Sequence, residues 1–197
     1  MRAWLRDALP HVYWSGVVAL TIFILAGPRA SLLPETDPRQ AVVRVGTDGG
    51  GHWTGFAVSP YLVLTAAHVA RPGRLVLGAR DGVSRSVTVV YRDEETDVAA
   101  LFVSPPVSDY FTLSCESLAR GDAVSSVGFP LTARWVERRG YVASTDPVGI
   151  GPPGAVLLDL PTSAGDSGAP VRDSRGRAVG LVSGTLVDRI GWSVSLT

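Results

Sequence analysis

From Ala41 onward the chain is a succession of short apolar or alternating runs: AVVRV, GFAVS, YLVLTAA, RLVLGA, SVTVVY, VAALFV, AVSSVGF, YVAST, AVLLDL, RAVGLVSG and GWSVSL. Turn residues such as GG, PG, DG and RG separate them. Valine crowds the preceding turn of a helix and packs well on a pleated surface, so valine-rich runs of this length between turn signals specify strands. No long helical period appears after residue 27. A chain patterned this way is expected to fold as an all-β sandwich or barrel. The paired prolines of SPPVSDY, residues 104–110, cannot join a central strand. That segment reads as the connection between two lobes, residues 41–103 and 111–197, and no internal sequence repeat or low-complexity tract accompanies them.

The N-terminus has a different pattern. After Arg2 and Arg6 an uncharged run extends from Val12 to Gly27 and stops at Pro28 and Arg29. A spanning helix needs about 17–25 apolar residues and a signal-peptide core about 7–15, so this run lies between the two. An N-terminal hydrophobic helix over residues 1–27 acts as an uncleaved anchor, a cleaved signal or, least simply, a buried core helix. Arginines before the run keep the N-terminus inside and export the remainder of the chain. The expected location is therefore the cell envelope, membrane-anchored with the domain outside the cytoplasm, or secreted if the segment is cut. Residues 28–40, rich in proline and charge, read as a linker.

Eighteen basic and eighteen acidic residues cancel, which leaves no electrostatic footprint for a nucleic-acid partner. Cys115 is the single cysteine. It cannot form an internal disulfide and reads as a buried thiol.

The stretch TSAGDSGAPV, residues 162–171, sets Ser167 between an acid and a glycine. Such a stretch is a tight turn or the surroundings of a nucleophile. A serine nucleophile needs a base, a group that orients the base, and donors for the developing oxyanion. His11 lies at the edge of the apolar run and His52 in the turn-like GGGHW, whereas His68 ends the run YLVLTAAH beside small alanines. His68 is a structural histidine or that base. Among the acids, Asp97 stands where the solvated RDEET meets the apolar VAALFV, so it is a turn acid or a buried orienting group. Asp81, Asp93, Asp122 and Asp173 sit in polar turn contexts and read as surface groups. The chain order histidine, aspartate, serine differs from the α/β-hydrolase and subtilisin orders, and Ala169 stands where a nucleophile elbow would need glycine.

TAAH around His68, TDVAAL around Asp97 and GDSGAP around Ser167, together with TGFAVSP, VGFP and VGLVSG, resemble the signature blocks of trypsin-like (chymotrypsin-fold) serine peptidases of the bacterial branch, which includes the high-temperature-requirement envelope proteases. The resemblance implies two antiparallel β-barrels with the active site between them. It implies a serine endopeptidase acting on protein or peptide through an acyl-enzyme, without metal or cofactor, with Ser167 as nucleophile, His68 as base and Asp97 as its orienter. Gly165 and Ser167 would supply the oxyanion-hole N–H groups. Pro161, Thr162, Ser183, Gly184, Thr185 and Gly191 would line a neutral specificity pocket suited to small or medium apolar side chains. A catalytically silent binding module on the same fold is the contrasting reading. Vertebrate-type members pair the acid before the serine, here Asp166, with a freed N-terminal amine. The segment QAVVRV lacks the usual valine-glycine-glycine start, which argues against a zymogen switch. Trp135 and the basic turn ERRG, residues 137–140, shape a substrate loop or, the better reading, form an exposed hairpin tip.

Overall fold

The computed structural model describes residues 37–47, 50–71, 75–131, 134–146, 151–187 and 190–195. The apolar run at residues 12–27, with its three readings, and His11 lie outside the described residues. Among the described residues no helix is long and apolar enough to cross a membrane.

A four-residue helix, α1 (Pro38–Ala41), falls at the end of the segment read as a linker and leads into β1 (Val42–Thr47). Next come β2 (His52–Ser59), β3 (Leu62–Ala66), β4 (Leu75–Gly78), β5 (Ser84–Asp93) and β6 (Val98–Ser104), which close into an antiparallel barrel in the order β1-β2-β3-β6-β5-β4. Pairing of Val43 with Gly55, Val45 with Leu77, Ala57 with Val63 and Val63 with Leu101 puts these residues on one face. All are buried, and they fill the interior. Each fully buried valine or leucine contributes roughly 1.5–3 kcal/mol.

A second barrel is built from β7 (Ala123–Gly128), β8 (Val136–Ser144), β9 (Ala155–Asp159), β10 (Pro170–Arg172), β11 (Ala178–Val187) and β12 (Ile190–Ser195), in the order β10-β11-β12-β9-β8-β7. Read around the ring, it repeats the topology of the first barrel although the sequences do not repeat. Among the described residues its core includes Val124, Val142, Leu158, Leu160, Val171 and Val182. The expected all-β double barrel is thus the observed fold. One strand escaped the pattern: β10 has only three residues and opens on Pro170, a place a strand tolerates because its first N–H need not join the ladder.

The stretch between β6 and β7 straps the barrels together. Val107 and Phe111 donate their N–H groups to Pro60 and Ala57 of the first barrel, while Ser114 and Ala178 join the strap to β11. Phe111 packs edge-on against Phe56 at 5.8 Å. Thr54 and Phe56 lie on the face of β2 that points away from the barrel interior, yet both are fully buried, because the strap and the second barrel cover them. Cys115 lies on this strap and is exposed. The expectation of a buried thiol fails: the bridge of Leu113 to Ala178 of β11 ends before Cys115, whose side chain faces solvent.

Candidate active site

His68 comes two residues after the end of β3. Its ring Nδ1 lies 3.0 Å from each carboxylate oxygen of Asp97, and its backbone N–H donates to Asp97 Oδ1 at 3.0 Å. A carboxylate only accepts, so Nδ1 carries the proton and Nε2 is left as the acceptor. Asp97 ends the turn before β6 with φ of 56°, in the left-handed region that aspartate tolerates better than branched residues. Its carbonyl accepts the N–H of Ala67 at 3.0 Å, so acid and imidazole are joined through backbone as well as side chain. The imidazole is 35% exposed and the carboxylate 14%. Burial pushes the Asp97 carboxyl up, but hydrogen bonds from the His68 ring, the Ser183 hydroxyl and the His68 N–H outweigh it and hold the group below the usual carboxylate range.

Ser183 reaches Asp97 from the second barrel, its Oγ donating to Oδ2 at 2.5 Å. The β11–β12 register places Val182 opposite Ser193 and Gly184 opposite Trp192, which leaves Ser183 as the extra residue of a bulge. A bulge re-aims the side chain it carries, and here the side chain crosses to the acid.

Ser167 sits in the loop between β9 and β10. Its carbonyl accepts the N–H of Thr54 at 3.0 Å. A Cβ built on Gly168 would meet Thr54 O at 2.1 Å and Ala66 N at 3.0 Å, so the loop lies directly on β2 and on the end of β3, two residues before His68. No hydrogen bond joins Ser167 Oγ to His68 in this structure; catalytic hydrogen bonds commonly tighten only with substrate. The preceding residues form a turn in which Asp166 N donates to Ser163 O at 3.0 Å and Gly165 has φ of 98°. A left-handed residue at the third position marks a type II turn. The Ala164 carbonyl accepts the N–H of Leu131 at 2.7 Å, and in a trans peptide the N–H of Gly165 points the opposite way. A Cβ on Gly165 would stand 2.3 Å from Phe129 O, so only glycine fits.

Of the residues expected to line a pocket, Thr162 is buried and its Oγ1 lies 2.6 Å from Thr185 Oγ1. Half-buried Pro161 precedes it. Gly184 comes after Ser183, and Thr185 pairs with Gly191 across β11 and β12. Gly168 N donates to Val182 O at 2.7 Å. Residues 162–168 and 182–185 therefore lie side by side, joined at one end by backbone and at the other by the two threonine hydroxyls. Among the described residues no three histidine, cysteine or acidic side chains converge on a possible metal position.

Asp166 is buried at 2% exposure. Arg138 Nη1 donates to its Oδ2 at 2.7 Å, and the N–H of Ser163 donates to the same oxygen at 2.8 Å. The ERRG segment is therefore not a hairpin tip. It lies within β8, where Arg138 turns to Asp166 and Glu137 to Arg172 at 2.6 Å. Sequence patterns missed Arg138, and they missed Thr54, whose hydroxyl donates to Gly165 O at 2.7 Å and accepts from Phe129 N at 3.0 Å. An uncompensated acid beside the serine was the one signal that a basic partner had to exist. Of the other acids, Asp81, Asp93 and Asp173 accept the N–H two residues ahead, as turn acids do.

Over residues 53–181 the chain matches the family described as the trypsin-like peptidase domain. It is 31% identical over 144 residues to serine protease Rv3671c of Mycobacterium tuberculosis, strain ATCC 25618 / H37Rv; the match covers 68% of this chain and 36% of that protein's length. The solved inactive form of Rv3671c protease is 25% identical with a TM-score of 0.70, covering 81% of this chain and 85% of that one. The active form from M. tuberculosis gives 21% identity and a TM-score of 0.71, covering 100% of this chain and 89% of that one, and shares the fold. The strand order, the three motif blocks and the family match agree: the chain belongs to the trypsin-like peptidase domain family.

Proposed function

We propose that the protein is a serine endopeptidase that cleaves protein or peptide through an acyl-enzyme. The hydrogen-bonded set of His68, Asp97 and Ser183, reached from both barrels, is the observation that carries the reading. Ser167 Oγ attacks the scissile carbonyl carbon while its proton passes to His68 Nε2. The C–N bond then breaks and that proton goes to the leaving amine. Water repeats the sequence on the ester and releases acid and serine. Asp97 holds the imidazole and stabilises it when protonated. The N–H groups of Gly165 and Ser167 receive the oxyanion, and each such donor contributes on the order of 3 kcal/mol in the transition state.

Arg138 takes the place of a freed N-terminal amine as the partner of Asp166, so the domain needs no proteolytic activation. The pocket walls carry no charge at Pro161, Thr162, Gly184, Thr185 or Gly191, and the hydroxyl pair of Thr162 and Thr185 narrows the space between them. Small uncharged side chains suit it. The apolar run at residues 12–27 puts the domain outside the cytoplasm, tethered or secreted, and sequencing the N-terminus of the mature protein distinguishes these two.

Fluorophosphonate labelling with peptide-ester hydrolysis tests the activity. Wild type is expected to be labelled at Ser167 and to turn over, and Ser167→Ala to do neither. A folded wild type that stays unlabelled and inert would instead be a binding module on this fold.

A further inference from the structure

Glycine reaches φ of 98° at Gly165 because it lacks a Cβ, and for the same reason it adopts negative φ about as readily. Rotating the peptide between Ala164 and Gly165 would turn the type II turn into type I and carry the Gly165 N–H to the other side. Glycine permits the required geometry without enforcing it, so something outside the turn must hold it.

We propose that Thr54 is a positioning residue for this turn, a role that rests on the endopeptidase reading above. Two carbonyls flank Gly165 along the chain, and both are engaged from outside the turn. Leu131 N–H holds that of Ala164 at 2.7 Å, and the Thr54 hydroxyl holds that of Gly165 at 2.7 Å. With both peptide planes fixed, Gly165 keeps a single conformation.

Thr54 is itself immobilised. It is fully buried in the middle of β2, where its N–H donates to Ser167 O at 3.0 Å and its carbonyl accepts from Thr65 Oγ1 at 2.7 Å. Its hydroxyl uses its one proton on Gly165 and accepts from Phe129 N at 3.0 Å. Thr54 N and Oγ1 thus reach the two residues proposed to donate to the oxyanion, Ser167 and Gly165. The first barrel, which carries the imidazole, sets the orientation of donors that belong to the second.

The test uses the full-length protein and compares Thr54→Val, which keeps shape and removes the hydroxyl, with Thr54→Ser, which restores it. Loss of one such donor lowers kcat about a hundredfold or more. Thr54→Val is expected to lower kcat by about that factor with KM nearly unchanged, and to weaken a peptide aldehyde that places an oxyanion at Gly165 by a similar factor. Thr54→Ser is expected to recover most of kcat. Wild-type kcat and aldehyde affinity in a Thr54→Val protein whose only change is a lower melting temperature would overturn the proposal and make the residue a structural tie. If Thr54→Val does not fold, Thr54→Cys, with a weaker donor, is read the same way: a kcat loss with KM held supports the role, and unchanged kcat removes it. A wild type that is inert toward ester and fluorophosphonate would sink the endopeptidase reading instead, so the two failures are distinct.

Discussion

The two barrels share one topology and divide the work unequally. In the first, Val43, Val45, Val63, Leu77, Leu101 and Val103 are fully buried, beside the buried polar side chains of Thr54, Thr65 and Arg85. It presents His68 and Asp97 at the ends of strands, on backbone already held by β3 and β6. The second barrel buries Ser126, Arg172, Ser183 and Ser193, and beside β10 it carries a loop whose left-handed Gly165 and Gly168 leave no room for a Cβ. Among the described residues the first barrel thus holds most of the large fully buried apolar side chains, whereas the loop beside β10 depends on particular polar partners. Damage to the first should appear as lost stability, and damage to the second loop as lost turnover or as an uncompensated charge.

The largest effect is expected where both apply. Arg138→Met strands the buried Asp166 carboxylate, and removing one partner of such a pair costs about 3–5 kcal/mol. Chemical denaturation should show that loss, and Asp166→Asn in the same protein should recover part of it. Unchanged stability would mean that another group holds Asp166. Gly165→Ala is next, with its Cβ against Phe129 O; kcat should fall about 10²–10³-fold, as when an oxyanion donor is lost. Leu101→Ala in the first barrel supplies the contrast. Core truncations of this kind cost about 2–5 kcal/mol, while kcat per folded molecule should hold, and a large drop in kcat would erase the proposed division between the barrels.

Thr185→Gly would open the wall of the proposed pocket. Selectivity between side chains that differ by a methylene is about 10–200-fold, and a peptide series varied at the residue before the cut should shift toward larger side chains by a factor in that range.

The smallest effect concerns acid. The Asp97 carboxyl lies below its ordinary range when folded, so its contribution to stability is present above the unfolded value and disappears as pH falls through the folded one. Melting temperatures measured downward from about pH 5 should fall less steeply in Asp97→Asn than in wild type. Parallel curves would mean that Asp97 is not held as its hydrogen bonds indicate.

Much of this was legible in residue order. YLVLTAA and VAALFV became β3 and β6 because alternation and β-branching act locally, and the motif blocks singled out His68, Asp97 and Ser167 as candidates. What could not be read locally were partners far apart in the chain. Thr54 meets Gly165 across 111 positions and Ser183 meets Asp97 across 86. Arg138 looked like part of a solvated basic turn because alternating charge on an outer strand face has the same composition as a loop. Cys115 was misjudged for the opposite reason: a small apolar residue is buried only where a neighbouring element covers it.

By itself the amino-acid pattern determined the class of fold, the two-lobed division and the chemistry available, because turn signals, β-propensity and motif spacing are properties of short stretches. Only the tertiary structure decided which charge answers Asp166, which hydroxyl steadies Asp97 and what restrains a glycine that could turn either way. Each of those depends on a hydrogen bond or ion pair closed by bringing two strands together, and no window along the chain contains both of its ends.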